Sequence, residues 1–282
     1  MSATETTASA VTGATLLQAR YGAAEAPAAG KLNEALRGLL AHRTVRAYLP
    51  DALPAGTLET LVAAAQSAAS SSNLQLWSLI AVEDAGCKAR LAQIAGGQAH
   101  IEQAPLFLVW LADLARADRV AAALGRAMEG CSYLESFVVA AIDAALAAQN
   151  AAVAAESMGL GTCYVGALRN DPERVAAELG LPPRAMAVFG MCVGREDPAR
   201  TAAIKPRLPQ AMVAFRGRYA APQDERELIA GYDATLAAFS RAQGMGEVTW
   251  TGRLLARMGS TKGLNGRDRM RAMMQALGFE LR

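Results

Sequence analysis

The sequence predicts a layered domain of the α/β or α+β class, in which a sheet packs against helices. Three runs of apolar residues, at 77–82, 106–111 and 186–193, have the length of strands. Segments with the 3.6-residue period of amphipathic helices separate these runs, and strands that alternate with helices pack in layers. Apolar residues make up 52% of the 282 residues and charged residues 19%, so the chain can bury a large core.

The predicted elements begin at residue 31. A first helix carries the apolar stripe Leu32, Leu36, Leu39 and Leu40 and stops within 42–46. The later elements, in order, are a helix at 54–69, a strand at 77–82, a helix at 85–94, a strand at 106–111, a long alanine-rich helix at 132–158, a strand at 164–165, a helix at 172–179, a strand at 186–193, and amphipathic helices at 224–241 and 267–277. Alanine on several faces of 132–158 lets another backbone approach closely, which suits a central helix or a helix at a dimer contact.

Residues 1–30 are the predicted N-terminal arm. They are rich in Ala, Thr, Gly and Ser and show no sustained hydrophobic period. A terminal segment of this kind is expected to be loose unless a partner surface holds it. The rest of the chain, 31–282, is the predicted domain.

Net charge and composition limit the kinds of partner and the cellular compartment that can be expected for this chain. With 28 Lys and Arg against 26 Asp and Glu, the net charge of +2 predicts no general attraction to nucleic acid or to an anionic membrane. Four cysteines without a C-x-x-C pair and two histidines predict free thiols in a reducing compartment and no metal site. The amino end lacks the basic and apolar regions of an export signal, and the longest apolar run, 104–112, is too short for a membrane helix. We therefore expect a cytoplasmic protein with no membrane partner.

Two short cationic segments are candidates for binding an anion. The first, His42-Arg43-Thr44-Val45-Arg46, has two arginines three residues apart with a hydroxyl between them, and the second is Lys205-Pro206-Arg207. The planar fork of a guanidinium matches phosphate oxygens in geometry and charge. Each segment taken alone is more typical of a solvated surface than of an anion site.

Three loops with small or polar residues are candidates for approaching a flat ligand. They are Ser70-Ser71-Ser72-Asn73-Leu74-Gln75, Gly96-Gly97-Gln98-Ala99-His100 and Tyr164-Val165-Gly166-Ala167-Leu168-Arg169-Asn170. Such residues usually shape turns, but they also allow a backbone to come close to a planar group.

Several enzyme classes are disfavoured because the chain lacks their sequence motifs. It has no G-x-G-x-x-G, no P-loop and no G-x-S-x-G, which disfavours a Rossmann dehydrogenase, an NTPase and a serine hydrolase. Cationic segments with small-residue loops, and no obvious acid–base pair, fit a protein whose chemistry belongs to a bound anionic cofactor.

The five segments, in this order and with this spacing, resemble the nitroreductase superfamily, and most of all its group A branch of oxygen-insensitive NADPH nitroreductases and flavin reductases. The resemblance implies an α+β three-layer sandwich with a central, mainly antiparallel sheet flanked by helices. It also implies an intertwined homodimer with one FMN at each of two sites in the subunit interface. The FMN-binding domain would be 31–282, including a C-terminal helical excursion at 224–282.

The resemblance also implies a role for individual residues. His42, Arg43, Thr44, Lys205 and Arg207 would hold the FMN phosphate. Arg46 would lie at the N1/O2 edge of the isoalloxazine, where a cation stabilises the anionic reduced flavin. The other implied contacts are Ser70 and Ser72 from the partner subunit, Gln98, Tyr164, Val165, Gly166 and Ala167 at the flavin, and Arg241 at the 2′-phosphate of NADPH. A companion of Arg241 in the family corresponds to Gly246 here.

The function implied is that of an NAD(P)H oxidoreductase with tightly bound FMN. By a ping-pong mechanism, NADPH or NADH would give a hydride to flavin N5 and leave, and a nitroaromatic, a quinone or a related small molecule would then take the electrons. One alternative is a flavin reductase that supplies reduced FMN to a partner, or a specialised enzyme with a narrow substrate range. Another is a noncatalytic module that binds flavin without turnover.

Overall fold

The computed structural model describes residues 12–28 and 30–282, and these fall into two compact units. The small unit comprises the described residues up to Arg43 together with Ala203–Leu255, and the large unit comprises Thr44–Ala202 and Ala256–Arg282. The helices are α1 (Gly13–Tyr21), α2 (Glu34–Ala41), α3 (Thr57–Gln66), α4 (Ala85–Ile94), α5 (Ala99–Gln103), α6 (Ala115–Ala123), α7 (Leu134–Ser157), α8 (Pro172–Leu179), α9 (Glu225–Ala242), α10 (Trp250–Met258) and α11 (Met270–Ala276). The strands are β1 (Trp77–Val82), β2 (Leu106–Asp113), β3 (Gly161–Val165) and β4 (Ala185–Gly194).

The four strands form one sheet in the large unit, in the order β1-β2-β4-β3. All three strand pairs are antiparallel, with Trp77 opposite Ala112 and Cys163 opposite Cys192. A parallel bridge joins Thr44 to Thr162 beside β3. The predicted mainly antiparallel sheet is thereby confirmed.

Alternate side chains of β2 enter two different cores, one on each face of the sheet. Phe107, Val109 and Leu111 pack with residues of α4, α5 and α8. Leu106, Leu108 and Trp110 pack with residues of α3 and α7 instead. Because both faces of β2 are buried, the strand is a continuous apolar run rather than an alternating one. The large unit therefore has the three layers of the predicted α+β sandwich.

Helix α7 separates its small residues from its large ones. The alanines that it turns to the sheet and to α3, such as Ala147, Ala148 and Ala151, are fully buried. Five of its large apolar residues form an exposed stripe: Leu134, Val138, Ile142, Leu146 and Val153. In the described part of the chain, α7 is the one helix with the length and composition of a membrane span. Its alanine face, however, lies in the core of the large unit.

Helix α1 differs from the loose arm that composition suggested. The Thr12 hydroxyl caps it by accepting from the Thr15 N–H at 3.2 Å, and Leu16 and Leu17 are buried in the small unit. A Cβ on Gly13 would lie 2.5 Å from Cδ1 of Leu32, so a larger residue there would have to push this side chain aside. Helix α1 is ordered by contacts with residues that are distant in the sequence. Such contacts leave no local hydrophobic period, so the sequence did not reveal the helix. The boundary of the arm at residue 30 stays a prediction, and residues 1–11 and 29 lie outside the described residues.

Candidate functional site

In the small unit, the side chain of Arg20 joins the two cationic segments that the sequence singled out. Only 6% exposed, Arg20 donates to the carbonyl oxygens of Lys205 at 2.8 Å and of Leu40 and His42 at 2.9 Å each. The Arg207 N–H in turn donates to the Arg20 carbonyl at 2.7 Å. These bonds bring 40–42 beside 205–207, although the two segments are far apart in sequence.

The 205–207 segment has a further support from α9. The Tyr232 hydroxyl donates to the Pro206 carbonyl at 3.1 Å, and burial raises the pKa of Tyr232, so this hydroxyl keeps its proton. Arg207 itself is exposed. The small unit therefore gathers His42, Arg43, Lys205 and Arg207, as the resemblance predicts for a phosphate site. That these residues bind phosphate stays a prediction.

In the large unit, Val45 fixes the segment that carries Thr44 and Arg46. The Val45 N–H donates to the Thr162 carbonyl at 2.9 Å, and the Tyr48 hydroxyl donates to the Val45 carbonyl at 2.7 Å. A Cβ on residue 161 would lie 2.6 Å from Val45, so Gly161 permits the close packing. Val45 is buried while Arg46 is exposed, which leaves the guanidinium free to face a ligand.

Arg46 lies near a half-buried histidine. Burial, and then the positive charge of Arg46, lower the pKa of His100, so the imidazole is neutral near pH 7. Its Nε2 is 3.8 Å from the Cys163 Sγ. In the same loop, the side-chain amide of Gln98 donates to the Ala95 carbonyl at 2.9 Å, which orients it. The predicted site residues Arg46 and Gln98 thus both lie within the large unit. The charge of Arg46 acts on His100, and Gln98 precedes His100 by two residues in the same loop.

At the end of β3, the groups available to a ligand are backbone N–H groups rather than reactive side chains. After Val165 the chain turns into a 3₁₀ helix, Gly166–Asn170, whose amino end has no side-chain cap. The first N–H groups of such a helix lack an intrahelical partner. A Cβ on Gly166 would lie 3.2 Å from the Arg169 guanidinium. Tyr164 packs edge-to-face on Phe189 with ring centroids 5.3 Å apart. Gly166 and Ala167 are therefore suited to contact a ligand through their amides, as the resemblance predicts.

Asp143 is the main residue near the site that sequence reasoning missed. It is 1% exposed in α7, and its carboxylate accepts from the Ser70 hydroxyl at 2.8 Å and from the N–H groups of Ser71 and Leu76 at 3.0 and 3.2 Å. The Ser70 oxygen also accepts from the Gln75 N–H at 2.8 Å. Ser70 therefore shapes its own loop, and its contact with a ligand stays a prediction. One acidic residue in a long apolar helix was the available signal.

The loop that Asp143 holds has a strained backbone. Ser72, Asn73 and Gln75 have φ values of 48°, 56° and 53°, in the left-handed region that non-glycine residues seldom occupy. Each such residue costs on the order of 1 kcal/mol or more and persists only where surrounding contacts enforce it. The three hydrogen bonds to Asp143 supply that enforcement.

Replacing Asp143 with alanine is expected to lower the free energy of unfolding by about 3 kcal/mol, because the Ser70 hydroxyl and the N–H groups of Ser71 and Leu76 lose a charged acceptor. Urea unfolding followed by circular dichroism measures this change. Ser71→Ala is the matched control, since it keeps the backbone N–H that Asp143 accepts from. Equal stability of the two variants would show that Asp143 does not hold the loop.

Arg241, the predicted NADPH-binding residue, lies on the surface at the last turn of α9. Its guanidinium is 3.4 Å from the carboxylate of Glu247, and both side chains are more than half exposed. Exposed pairs of this kind contribute little to stability, so a phosphate can replace Glu247 at low cost. The role of Arg241 stays a prediction.

Each unit, taken by itself, offers donor groups that suit one part of FMN. Guanidinium, imidazole and ammonium groups in the small unit suit a phosphate, whereas a guanidinium, an amide side chain and uncapped backbone N–H groups in the large unit suit the oxygen and nitrogen edge of a flavin. In the ranges 12–28 and 30–282, no cluster of three or more His, Cys, Asp or Glu side chains is suited to a metal ion.

Comparison with known proteins gives consistent matches over most of the chain. The sequence model described as "Nitroreductase family" matches residues 39–195, and the one described as "Nitroreductase family, C-terminal domain" matches 205–282. An "FMN reductase (NADPH)" of Bacillus subtilis is 38% identical over 228 residues, which cover 79% of this chain and 91% of the relative. An "Oxygen-insensitive NADPH nitroreductase" of Salmonella typhimurium is 38% identical over 208 residues, covering 73% and 82%.

The fold is similar to that of solved structures as well. The structure of NfrA2 from B. megaterium superposes with a TM-score of 0.82 at 38% identity, covering 89% of this chain and all of that one. Both the fold class and the family resemblance derived from the sequence are thereby confirmed.

Proposed function

The chain belongs to the nitroreductase family, and we propose that it works as a cytoplasmic homodimer that passes hydride from NADPH to nitroaromatics, quinones or free flavin. It is an FMN-dependent NAD(P)H oxidoreductase. The observation that carries the proposal is the joining of two remote cationic segments by Arg20. Both segments lie within the residues that the family models match, whereas Arg20 precedes them. Such an arrangement serves to grip an anionic group, as on FMN.

The chemistry that FMN supplies when bound is hydride transfer through N5, first from the nicotinamide and then to the acceptor. His42, Arg43, Thr44, Lys205 and Arg207 bind the phosphate end. Arg46 would supply the positive charge that stabilises the negative charge of the reduced flavin. The neutral His100 beside Arg46 adds no competing charge there.

The remaining predicted contacts set the position of the ring. Gln98, held by the Ala95 carbonyl, and the amides of Gly166 and Ala167 orient it, with Tyr164 and Val165 forming the strand end that leads to them. Ser70 and Ser72 reach the site of the partner subunit. Arg241 binds the 2′-phosphate of the donor, and it releases Glu247 when it does so.

The exposed stripe of α7 supports the homodimer. Monomeric soluble proteins seldom expose an apolar stripe that runs the length of a helix, and such surfaces typically mark an interface. The alternative, contact with a membrane, is disfavoured because the opposite face of α7 is packed in the core and because the net charge is small.

The purified protein is expected to be yellow, to be bleached by NADPH without oxygen, and to recover its colour when a nitroarene or a quinone is added. Absorbance near the flavin band measures each step. Yellow protein that NADPH and NADH both fail to bleach would indicate a noncatalytic flavin-binding module. Colourless protein that does not take up added FMN would contradict both readings.

Among the proposed acceptors, free flavin is favoured by the Bacillus subtilis relative, which is named for FMN reduction. Steady-state rates with free FMN, riboflavin, a nitroarene and a quinone under identical conditions distinguish a flavin reductase from a nitroreductase. A flavin reductase that serves a partner would give its highest kcat/KM with free flavin.

A further inference from the structure

Two of the four cysteines stand directly opposite each other in the sheet of the large unit. Cys163 of β3 faces Cys192 of β4 in the antiparallel pairing, and both side chains are buried in the same core. The other two, Cys87 in α4 and Cys131 in the short 3₁₀ helix before α7, are only partly buried. The proposed mechanism gives no role to the opposed pair.

The hydrogen bonds of β3 show which kind of cross-strand pair the two cysteines form. The Thr162 carbonyl accepts from the Val45 N–H at 2.9 Å, so Thr162 turns its backbone groups away from β4. Hydrogen-bonded and non-hydrogen-bonded pairs alternate along two antiparallel strands, and Cys163 and Cys192 therefore form a hydrogen-bonded pair. Cα atoms in such a pair are about 5.5 Å apart, within the usual Cα separation in disulfides of roughly 4.4 to 6.8 Å. The backbone thus already has the spacing that a disulfide needs.

A histidine contacts one of the two thiols. The His100 Nε2 lies 3.8 Å from the Cys163 Sγ, and the imidazole is half-buried. Burial lowers the pKa of His100, and a neutral imidazole has one unprotonated nitrogen that can accept a thiol proton. Cys192 is fully buried, and this burial raises its pKa, so its thiol keeps the proton. Because the thiolate is the nucleophile in cysteine chemistry, Cys163 is the one placed to react first.

We propose that Cys163 and Cys192 form a reversible redox site, in which hydrogen peroxide oxidises the two thiols to a cross-strand disulfide. The Cys163 thiol gives its proton to His100, and its sulfur attacks one oxygen of the peroxide. An S–O bond forms, the O–O bond breaks, and the departing hydroxide takes the proton from His100 to become water, which leaves a sulfenic acid on Cys163.

The second step closes the disulfide. The Cys192 sulfur attacks the Cys163 sulfur, so that the S–S bond forms and the S–O bond breaks. The departing hydroxide takes the Cys192 proton and leaves as a second water. Two thiols and one peroxide thereby give one disulfide and two waters, and two electrons pass from the thiols to the peroxide. Thiol reductants reverse the change by exchange, as expected for a redox site in a reducing compartment.

The site adjoins the residues that are proposed to contact the flavin. Cys163 lies three residues before Gly166, and His100 lies in the loop that carries Gln98. Oxidation draws the Cys163 sulfur to Cys192 and so ends its contact with His100. The inference adds a modification site to the proposed function and does not depend on it.

The first test follows the thiols of the purified wild-type protein, which is reduced, freed of reductant and treated with hydrogen peroxide. Titration in denaturant is expected to show the loss of two of the four thiols, and dithiothreitol is expected to restore them. Mass spectrometry after alkylation and digestion is expected to show the peptides of Cys163 and Cys192 joined, with the loss of two hydrogens. The proposal is overturned if both cysteines remain alkylated, or if the link involves Cys87 or Cys131 instead.

The second test removes the thiol that closes the disulfide. In Cys192→Ser, peroxide is expected to leave Cys163 as a sulfenic acid that dimedone traps, and no linked peptides form. Cys87→Ser is the matched control, because Cys87 lies outside the pair, and its yield of linked peptides is expected to equal that of the wild type. Equal dimedone labelling of Cys163 in Cys192→Ser and in the wild type would contradict a resolving role for Cys192. The first test needs no variant, so it decides the matter even if Cys192→Ser fails to fold.

A third measurement follows His100 by NMR. The chain has two histidines, and His42 of the small unit serves as the internal control. Oxidation is expected to shift the imidazole signals of His100 and to leave those of His42 in place, and dithiothreitol is expected to reverse the shift. Signals of His100 that stay in place while linked peptides form would remove His100 from the proposal. None of the three measurements uses turnover, so failure of the redox site is distinguished from failure of the proposed function.

Discussion

Replacing Ile142 with glutamate is expected to convert an FMN-loaded dimer into a colourless monomer. Ile142 is 52% exposed at the middle of the apolar stripe on α7. A carboxylate there would have to be buried without a partner in the interface, at a cost of several kcal/mol. The next residue, Asp143, holds the serine loop that is proposed to enter the partner's site, so separation of the subunits would remove that loop from the flavin as well.

Sedimentation velocity measures the assembly of this variant, and the flavin absorbance of the purified protein measures its FMN content. The matched control is Leu124→Glu, which places the same charge on a leucine that is 68% exposed but lies outside the stripe. The control is expected to remain a yellow dimer. If Ile142→Glu also remained an FMN-loaded dimer, the interface would have to lie elsewhere.

Replacing Arg46 with alanine is expected to slow flavin reduction by NADPH about a hundredfold, while FMN is retained nearly as well as in the wild type. The reason is that Arg46 stabilises charge that develops on reduction, and the loss of one such donor typically costs about 10²-fold to 10³-fold in rate. The phosphate cations of the small unit stay in place. Arg43→Ala is the complementary variant and is expected to weaken FMN binding more than it slows reduction.

Anaerobic stopped-flow absorbance gives the rate of flavin reduction, and flavin fluorescence on dilution gives retention. A further readout is the titration of His100 by NMR. Because the charge of Arg46 contributes to lowering the pKa of His100, removing it should move this pKa upward, towards the ordinary 6.5. Equal loss of reduction rate and of FMN retention in Arg46→Ala would show that Arg46 serves binding only.

The sheet and the principal helices were predictable because their signals are local. The run at 106–111 is apolar at every position, since both faces of β2 are buried, and 132–158 shows its helix through alanine content and length. Helices α5, α6 and α10 were not predicted. The arm was expected to be loose, whereas α1 is ordered by Leu16, Leu17 and Arg20, whose partners lie elsewhere in the small unit.

The identities of the candidate residues follow from the sequence by itself. Arg43, Arg46, Lys205 and Arg207 stand in segments whose order and spacing indicate the family, because side-chain chemistry and chain order are properties of the sequence. The tertiary structure alone decided which groups hold them: Arg20 bridges 40–42 to 205–207, and Asp143 accepts from three donors of a loop about seventy residues away. Hydrogen bonds between remote segments depend on how the chain packs, and no local pattern of residues encodes them.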